Sequence, residues 1–574
     1  MSQQLQQRSL IRTVYCNRIE NMFKKTLSAL ALACLIQASA SGQVLHKAEQ
    51  TTRADTLRGM LTPLRTCYDI NYYHLDVKID IDNRSVSGSN KFAFTATDTF
   101  SKLQFDLFSN LQVERVLYKN KELPFTREFN AVFVTFPSPI KKGSKDEFTV
   151  YYSGKPQVAN RPPWDGGFIF RKDDAGNPFV SVACQGLGAS SWWPNKDHQS
   201  DEVDSMMISI SAPRDLQEIS NGRLRSRVEK PDGYMQHNWF VANPINNYDV
   251  SFYIGKYAHW TDTYQGEEGP LTIDYWALKQ DSTRARTHWD ADVKPMLKSF
   301  EHWFGPFPWY KDGYKLVQAP HLGMEHQSAV AYGNQFKKGY LGRDLSASGW
   351  GMTFDFIIIH ESGHEWFGNN ITAKDIADMW IHESFTNYSE TLFTQSLYGK
   401  EAGDAYVQGI RQGIANDIPI IGQYNVNKEG SGDMYSKGAN MIHIIRQLIN
   451  DDEKFRSILR GLNKTFYHQT VTTAEVENYI AKNSGLNLAK IFDQYLRHKD
   501  IPTFEYKISN NKLSYRWNAD VKDFNMPLKV TLKPNTYTLV QPTAKWKEVA
   551  LDNTINKDNF KADPNFYINT KQLN

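Results

Sequence analysis

The pentapeptide His360-Glu361-Ser362-Gly363-His364, with Glu383 beyond eighteen intervening residues, holds the residue types that hydrolytic zinc chemistry requires. On a helix His360 and His364 fall at i and i+4, so both rings project from one face and can share a cation. Glu361 lies about 100° round the same turn, too far for a third ligand but well set to hold a water beside the metal. Glu383, arriving from a second helix, completes a His-His-Glu set. Three protein ligands leave a fourth position open to water, the mark of a catalytic rather than a structural zinc site. One Zn2+ per chain is therefore expected. Glu390, two turns after Glu383 on the same face, can accept a proton from the far ring nitrogen of a ligand histidine. His382 faces elsewhere and reads as structural.

The bare motif also arises in ordinary helices, so weight falls on the elements that must position it. Residues 353–359 lead in as an apolar run, Trp366 and Phe367 continue it, and Gly368-Asn369 gives a helix stop. Residues 379–398 read as a second helix that ends before Gly399. Helical periodicity begins near 291–304 and dominates to about Lys499, with further amphipathic helices at 437–450 and 473–496. Earlier, residues 72–82 alternate apolar and polar, and short strands follow at 91–96, 103–107, 131–136, 147–152 and 206–212. After Ile501-Pro502 short strands return. The fold class is multidomain α+β: an N-terminal all-β domain (55–260), an α-rich catalytic domain (261–500) and a small C-terminal β-sandwich (501–574).

With 574 residues and 40% hydrophobic content, the chain can bury more than one core. Its net charge is +3 with no basic patch, so nothing points to nucleic acid. Met22-Phe23-Lys24-Lys25 is a short basic region, residues 27–36 an apolar stretch too short to span a bilayer, and Ala38-Ser39-Ala40 a signal-peptidase pattern. A signal peptide within residues 1–45 is expected, with 1–21 an upstream extension and Met22 the true start. Cys34 follows a poor lipobox, so no lipid anchor is expected. No later run is apolar enough for a membrane helix, and export to the periplasm or medium is expected. Cys67 and Cys184 need not pair, and without a Cys-x-x-Cys a cysteine-based metal site is excluded. Oligomeric state is not legible.

The zinc residues resemble the signature of the gluzincins. The longer run at 360–372, with Asp378-Met379-Trp380-Ile381-His382-Glu383-Ser384-Phe385, resembles the zinc aminopeptidases that include membrane alanyl aminopeptidase and leukotriene hydrolase. Gly323-Met324-Glu325-His326 resembles that family's Gly-x-Met-Glu-Asn exopeptidase motif. Met434-Tyr435-Ser436-Lys437-Gly438-Ala439 resembles the segment carrying its catalytic tyrosine. The similarity runs more loosely from about residue 68 to the end. It implies a thermolysin-like catalytic domain that removes N-terminal residues from peptides. Glu361 would be the base, Tyr435 the donor to the oxyanion, Glu325 the receptor of the substrate α-ammonium, and Gly323–Met324 a strand pairing with substrate backbone.

Two departures stand out. His326 replaces the motif's Asn, and the second amine-binding group of the family falls on Leu187, in the stretch Cys184-Gln185-Gly186-Leu187-Gly188-Ala189. Gln185 is still expected to line the cleft, with amine recognition weakened or rebuilt, His326 being a candidate. The large C-terminal helical domain of the longest family members has no counterpart, so a more open cleft is expected. Two rivals share these residues: another hydrolysis in the same cleft (epoxide opening or endopeptidase action), and a non-catalytic peptide-binding homologue. The intact set of ligands, base and tyrosine argues against the latter.

Overall fold

Alternating side chains make Tyr68–Asp80 a strand that buries Tyr73, Leu75, Val77 and Ile79 on one face. The computed structural model describes residues 51–574, so the signal-peptide signature lies outside the described residues. Tyr68–Asp80 sits inside an eight-stranded sheet, antiparallel to Ser85–Ala96 and parallel to Ser205–Pro213. A three-stranded sheet led by Phe100–Asp106 and a four-stranded sheet containing Pro178–Ala183 share one apolar core with it. The N-terminal part is β-rich.

A five-stranded sheet follows, in the order Tyr257–Gly266, Gly269–Leu278, Tyr314–Gln318, Val330–Tyr332, Gly323–Met324. It begins slightly before the boundary expected at 261. Its last strand, Gly323–Met324, is an edge paired only with Val330–Tyr332, which leaves its other side available. Helices then dominate, and three matter for chemistry: α1 (Phe356–Gly363), α2 (Trp380–Tyr398) and α3 (Ser436–Ile449). The helix expected over 473–496 is interrupted. Thr473–Ser484 ends at Gly485, whose φ of 73° is left-handed, and a short helix resumes at Ala489–Phe492. Thr503–Ser509 and Lys512–Asn518 lie at the centre of a C-terminal four-stranded sheet, with a hairpin of Leu528–Lys533 and Thr536–Val540 beside it. A second apolar core, reaching from Leu271 to Phe566, joins these strands to α1, α2 and α3. Among the described residues no helix is long and apolar enough to cross a membrane. Cys67 and Cys184 are both buried free thiols.

The start of α1 is fixed by Asp355. Its carboxylate accepts from the backbone N–H of Ile357 at 3.0 Å and Ile358 at 3.4 Å, satisfying helix-start donors. The same group also meets His288 Nε2 at 2.7 Å and accepts from the Tyr332 hydroxyl at 2.7 Å and Asn334 Nδ2 at 2.8 Å. Asp355→Ala removes the cap and takes an acceptor from buried Tyr332 and Asn334 and from half-buried His288. It is expected to destabilise the fold by about 3 kcal/mol, read from urea unfolding.

Candidate active site

Helix geometry turns the spacing of His360 and His364 into a pair of rings, 5.0 Å apart by centroid, on the same side of α1. The helical path breaks just after His364, where Phe367 and Gly368 leave helical backbone angles. That break turns the Phe367 carbonyl back to accept from His364 Nδ1 at 3.0 Å. His360 Nδ1 lies 2.8 Å from Glu390 Oε1. Each ring is therefore held through its Nδ1, and each presents Nε2 to Glu383 on α2. Glu383 Oε2 is 3.6 Å from His360 Nε2 and 3.4 Å from His364 Nε2.

One ligand atom from each of these three groups lies within 4.8 Å of the others, and all three residues are buried. Among the described residues Glu383 Oε2 has no hydrogen-bond partner. A buried carboxylate oxygen facing two nitrogen lone pairs is the donor set a zinc ion satisfies, so the residues fit the metal. Burial disfavours charge on Glu383, but the His364 and His360 imidazoles more than offset this and hold it well below the usual carboxylate range.

The support around His360 extends one shell outwards. Glu390 also accepts from Asn387 Nδ2 at 2.9 Å and from the Tyr406 hydroxyl at 2.5 Å. Glu390→Ala would free the His360 ring to rotate. Zinc affinity is expected to fall by about 10- to 100-fold, measured by competition with a chelator.

Glu361 projects beside this group and lines up with the edge strand. A side-chain carbon on Gly323 would sit 2.5 Å from Glu361 Oε1, so only glycine lets the strand run this close to the carboxylate. Burial pushes the Glu361 carboxyl up to about 7; Glu325 adds to this while His360 opposes it. Glu325, Glu361 and His364 form a second group whose polar atoms converge within 4.8 Å. The Gln185 side-chain amide donates to Glu325 Oε1, joining the N-terminal β-rich part to the site. Met324 is buried on its strand. His326 is fully buried, with Nδ1 2.7 Å from the Tyr253 hydroxyl and its ring edge-on to Tyr253 and His321.

Tyr435 lies at the start of α3, its ring centroid 5.9 Å from that of His360. Burial, then the carboxylates of Glu383, Glu429 and Glu325, raise its phenol far above the ordinary value and keep it in the hydrogen-bond-donating form. His382 turns away and accepts from the Ala373 backbone N–H at 2.8 Å.

Sequence reasoning passed over two residues. Glu365 is fully buried, accepts from Ser328 N at 3.0 Å and from Asn369 Nδ2 at 3.1 Å, and Asn369 Nδ2 also donates to the Glu325 carbonyl at 2.8 Å. It braces the Glu325 segment against the residue after the second histidine, and its adjacency to His364 was the available signal. Glu429 lies six positions before Tyr435 with no motif around it.

Residues 291–495 match the Peptidase family M1 domain. A leukotriene A-4 hydrolase from Xenopus laevis is 23% identical over 72% of this chain and 68% of its own length. A probable aminopeptidase 2 from Sulfurisphaera tokodaii is 21% identical over 78% of this chain and 55% of its own. The aminopeptidase B of Homo sapiens is 22% identical over 73% and 65%. The last two matches therefore leave more than a third of the relative uncovered. Among solved structures, an M1 zinc metallopeptidase from Deinococcus radiodurans superposes with a TM-score of 0.61 at 19% identity, covering 76% of this chain and 94% of that one. The structural likeness establishes a shared fold.

Proposed function

We propose that this chain, whose residues 291–495 match the Peptidase family M1 domain, is a zinc-dependent aminopeptidase that removes N-terminal residues from peptides. The observation that carries this reading is the convergence of two groups on His364: the His360–His364–Glu383 donor set and the Glu325–Glu361 carboxylate pair. The first suits a metal and the second suits a base next to an ammonium receptor.

Zinc held by His360, His364 and Glu383 would supply Lewis-acid polarisation of the scissile carbonyl and of a water. Glu361 takes the proton from the attacking water and returns it to the departing amine. Burial raises its carboxyl, which favours its taking up that proton. Tyr435 donates a hydrogen bond to the oxygen on which negative charge develops. Glu325, fixed by the Gln185 amide, holds the substrate α-ammonium, and the free side of Gly323–Met324 pairs with substrate backbone.

The test compares free and N-acetylated aminoacyl fluorogenic amides, with and without a chelator. Hydrolysis of the free amides alone, lost to the chelator and regained with zinc, is the expected result. Equal cleavage of the acetylated forms would instead indicate endopeptidase action and overturn the reading. We further infer export, from the residue pattern at 22–40. Recovery of the protein solely from the cell interior, with its N-terminus intact, would refute this.

A further inference from the structure

The five-stranded sheet gives one face to the core beneath α1 and turns the other towards the β-rich part. Tyr275, Tyr314 and Leu316 lie in the core that holds α1, with the Tyr314 hydroxyl 2.8 Å from Ser362 Oγ. The intervening residues Asp274, Trp276 and Lys315 project from the opposite face, as strand alternation requires, and Lys315 stands beside Asp274 in the register. Across from them runs Arg223–Glu229, the outermost strand of the eight-stranded sheet. Between the two sheets lies a groove of about 550 Å³, lined on one side by Lys315, Asp274 and Trp276 and on the other by Arg223, Arg225 and Arg227. Its size is that of a small-molecule site.

The polar groups of this groove are unbalanced: among the described residues, four cations and one carboxylate line it. The carboxylate is already occupied. Asp274 Oδ1 lies 2.8 Å from His259 Nε2 and accepts from the Thr261 hydroxyl at 2.9 Å, and Oδ2 lies 3.5 Å from Arg223 Nη1. Lys315 is 2% exposed, and among the described residues its ammonium spends one of three donors, on the Gly222 carbonyl, and forms no ion pair. Burial pushes that ammonium down to about 8, although Asp274 opposes the shift. Trp276 is 6% exposed, and its Nε1–H has no acceptor among the described residues. At the rim, Arg225 and Arg227 are exposed and make no hydrogen bond or ion pair among the described residues.

Unspent donors around a shielded ammonium are complementary to a group that is anionic and accepts only. Two guanidinium forks and an ammonium match the several oxygens of phosphate or sulfate better than the two of a carboxylate. The wall formed by Trp276, with the His259 ring stacked on it at 4.0 Å, adds aromatic surface for a molecule that carries the group. We propose that this groove binds a phosphate or sulfate group, free or carried on a small molecule, with Lys315 at its floor and Arg225 and Arg227 at its rim. No residue of the groove belongs to the candidate zinc site, so its occupancy does not depend on the aminopeptidase reading.

The experiment is a calorimetric titration of the zinc-loaded protein with inorganic phosphate, inorganic sulfate and phenyl phosphate, at an ionic strength fixed with chloride. Saturable binding at one site is expected. Phenyl phosphate binding more tightly than inorganic phosphate identifies a carried group and equal binding the free ion; either supports the site. The double variant Arg225→Ala, Arg227→Ala, whose thermal midpoint should match that of the unaltered protein, is expected to bind roughly 10- to 100-fold more weakly, and so is Lys315→Met. Should the buried Lys315→Met change prevent folding, the arginine pair decides alone. Absence of saturable binding to the unaltered protein would overturn the proposal. So would binding that the double variant retains in full, whether or not a chelator abolishes it; its loss to the chelator would place the anion on the zinc.

Discussion

Glu361→Gln is expected to lower kcat by about 10³- to 10⁴-fold while zinc content stays at one equivalent. The substitution keeps the shape of the side chain and the clearance to Gly323, where a side-chain carbon would sit 2.5 Å from Glu361 Oε1, but removes the capacity to accept a proton. Glu361 is absent from the group formed by His360, His364 and Glu383, so metal retention should not follow activity down. Steady-state kinetics on an aminoacyl amide, paired with metal analysis of the same sample, separates the two. Activity within tenfold of the unaltered protein would remove Glu361 from the role of base.

Glu383→Ala is expected to have the other large effect, and by a different route. Its Oε2 faces both Nε2 atoms, at 3.6 and 3.4 Å. Loss of this oxygen leaves two imidazoles without the anionic ligand that neutralises half of a dication's charge. Zinc affinity should fall by more than the roughly 100-fold at which loss of an outer partner saturates, and hydrolysis should fall to background. Dialysed protein assayed across a zinc titration checks this. Full recovery at the zinc level that saturates the unaltered protein would show that Glu383 is no ligand.

The parts of this site that were legible in the sequence are those that local geometry encodes. His360 and His364 share a face because of the helical period, and α1 bears them on one side as that period requires. Glu390 was legible for the same reason, since two turns along α2 return to the face of Glu383. Tyr435 and Glu325 were legible only by resemblance, because nothing in their immediate neighbours distinguishes them from core residues. Glu429 left no trace: it sits in an aperiodic loop, and Gly186, against which its carboxylate lies, is some 240 positions away along the chain. The strands of the N-terminal part were visible in their alternation, as along Tyr68–Asp80. Their order was not, since that strand lies beside Ser205–Pro213 and no local pattern records a partner so distant. The break at Gly485 was missed because the apolar period resumes beyond it, in Ala489–Phe492.

The two histidines are restrained by unlike means. His364 Nδ1 meets the carbonyl of Phe367, three residues on, with the Thr386 hydroxyl of α2 3.2 Å away, whereas His360 depends on Glu390 from α2, the helix that also bears Glu383. Undocking α2 would withdraw an anionic ligand and the Glu390 acceptor in one motion, leaving His360 adrift and His364 held by the Phe367 carbonyl without the Thr386 hydroxyl beside it. Zinc release should therefore be cooperative with that undocking rather than a sequential peeling of ligands. The off-rate of the ion then becomes a clock for the opening of two helices, which can be followed without labelling the protein.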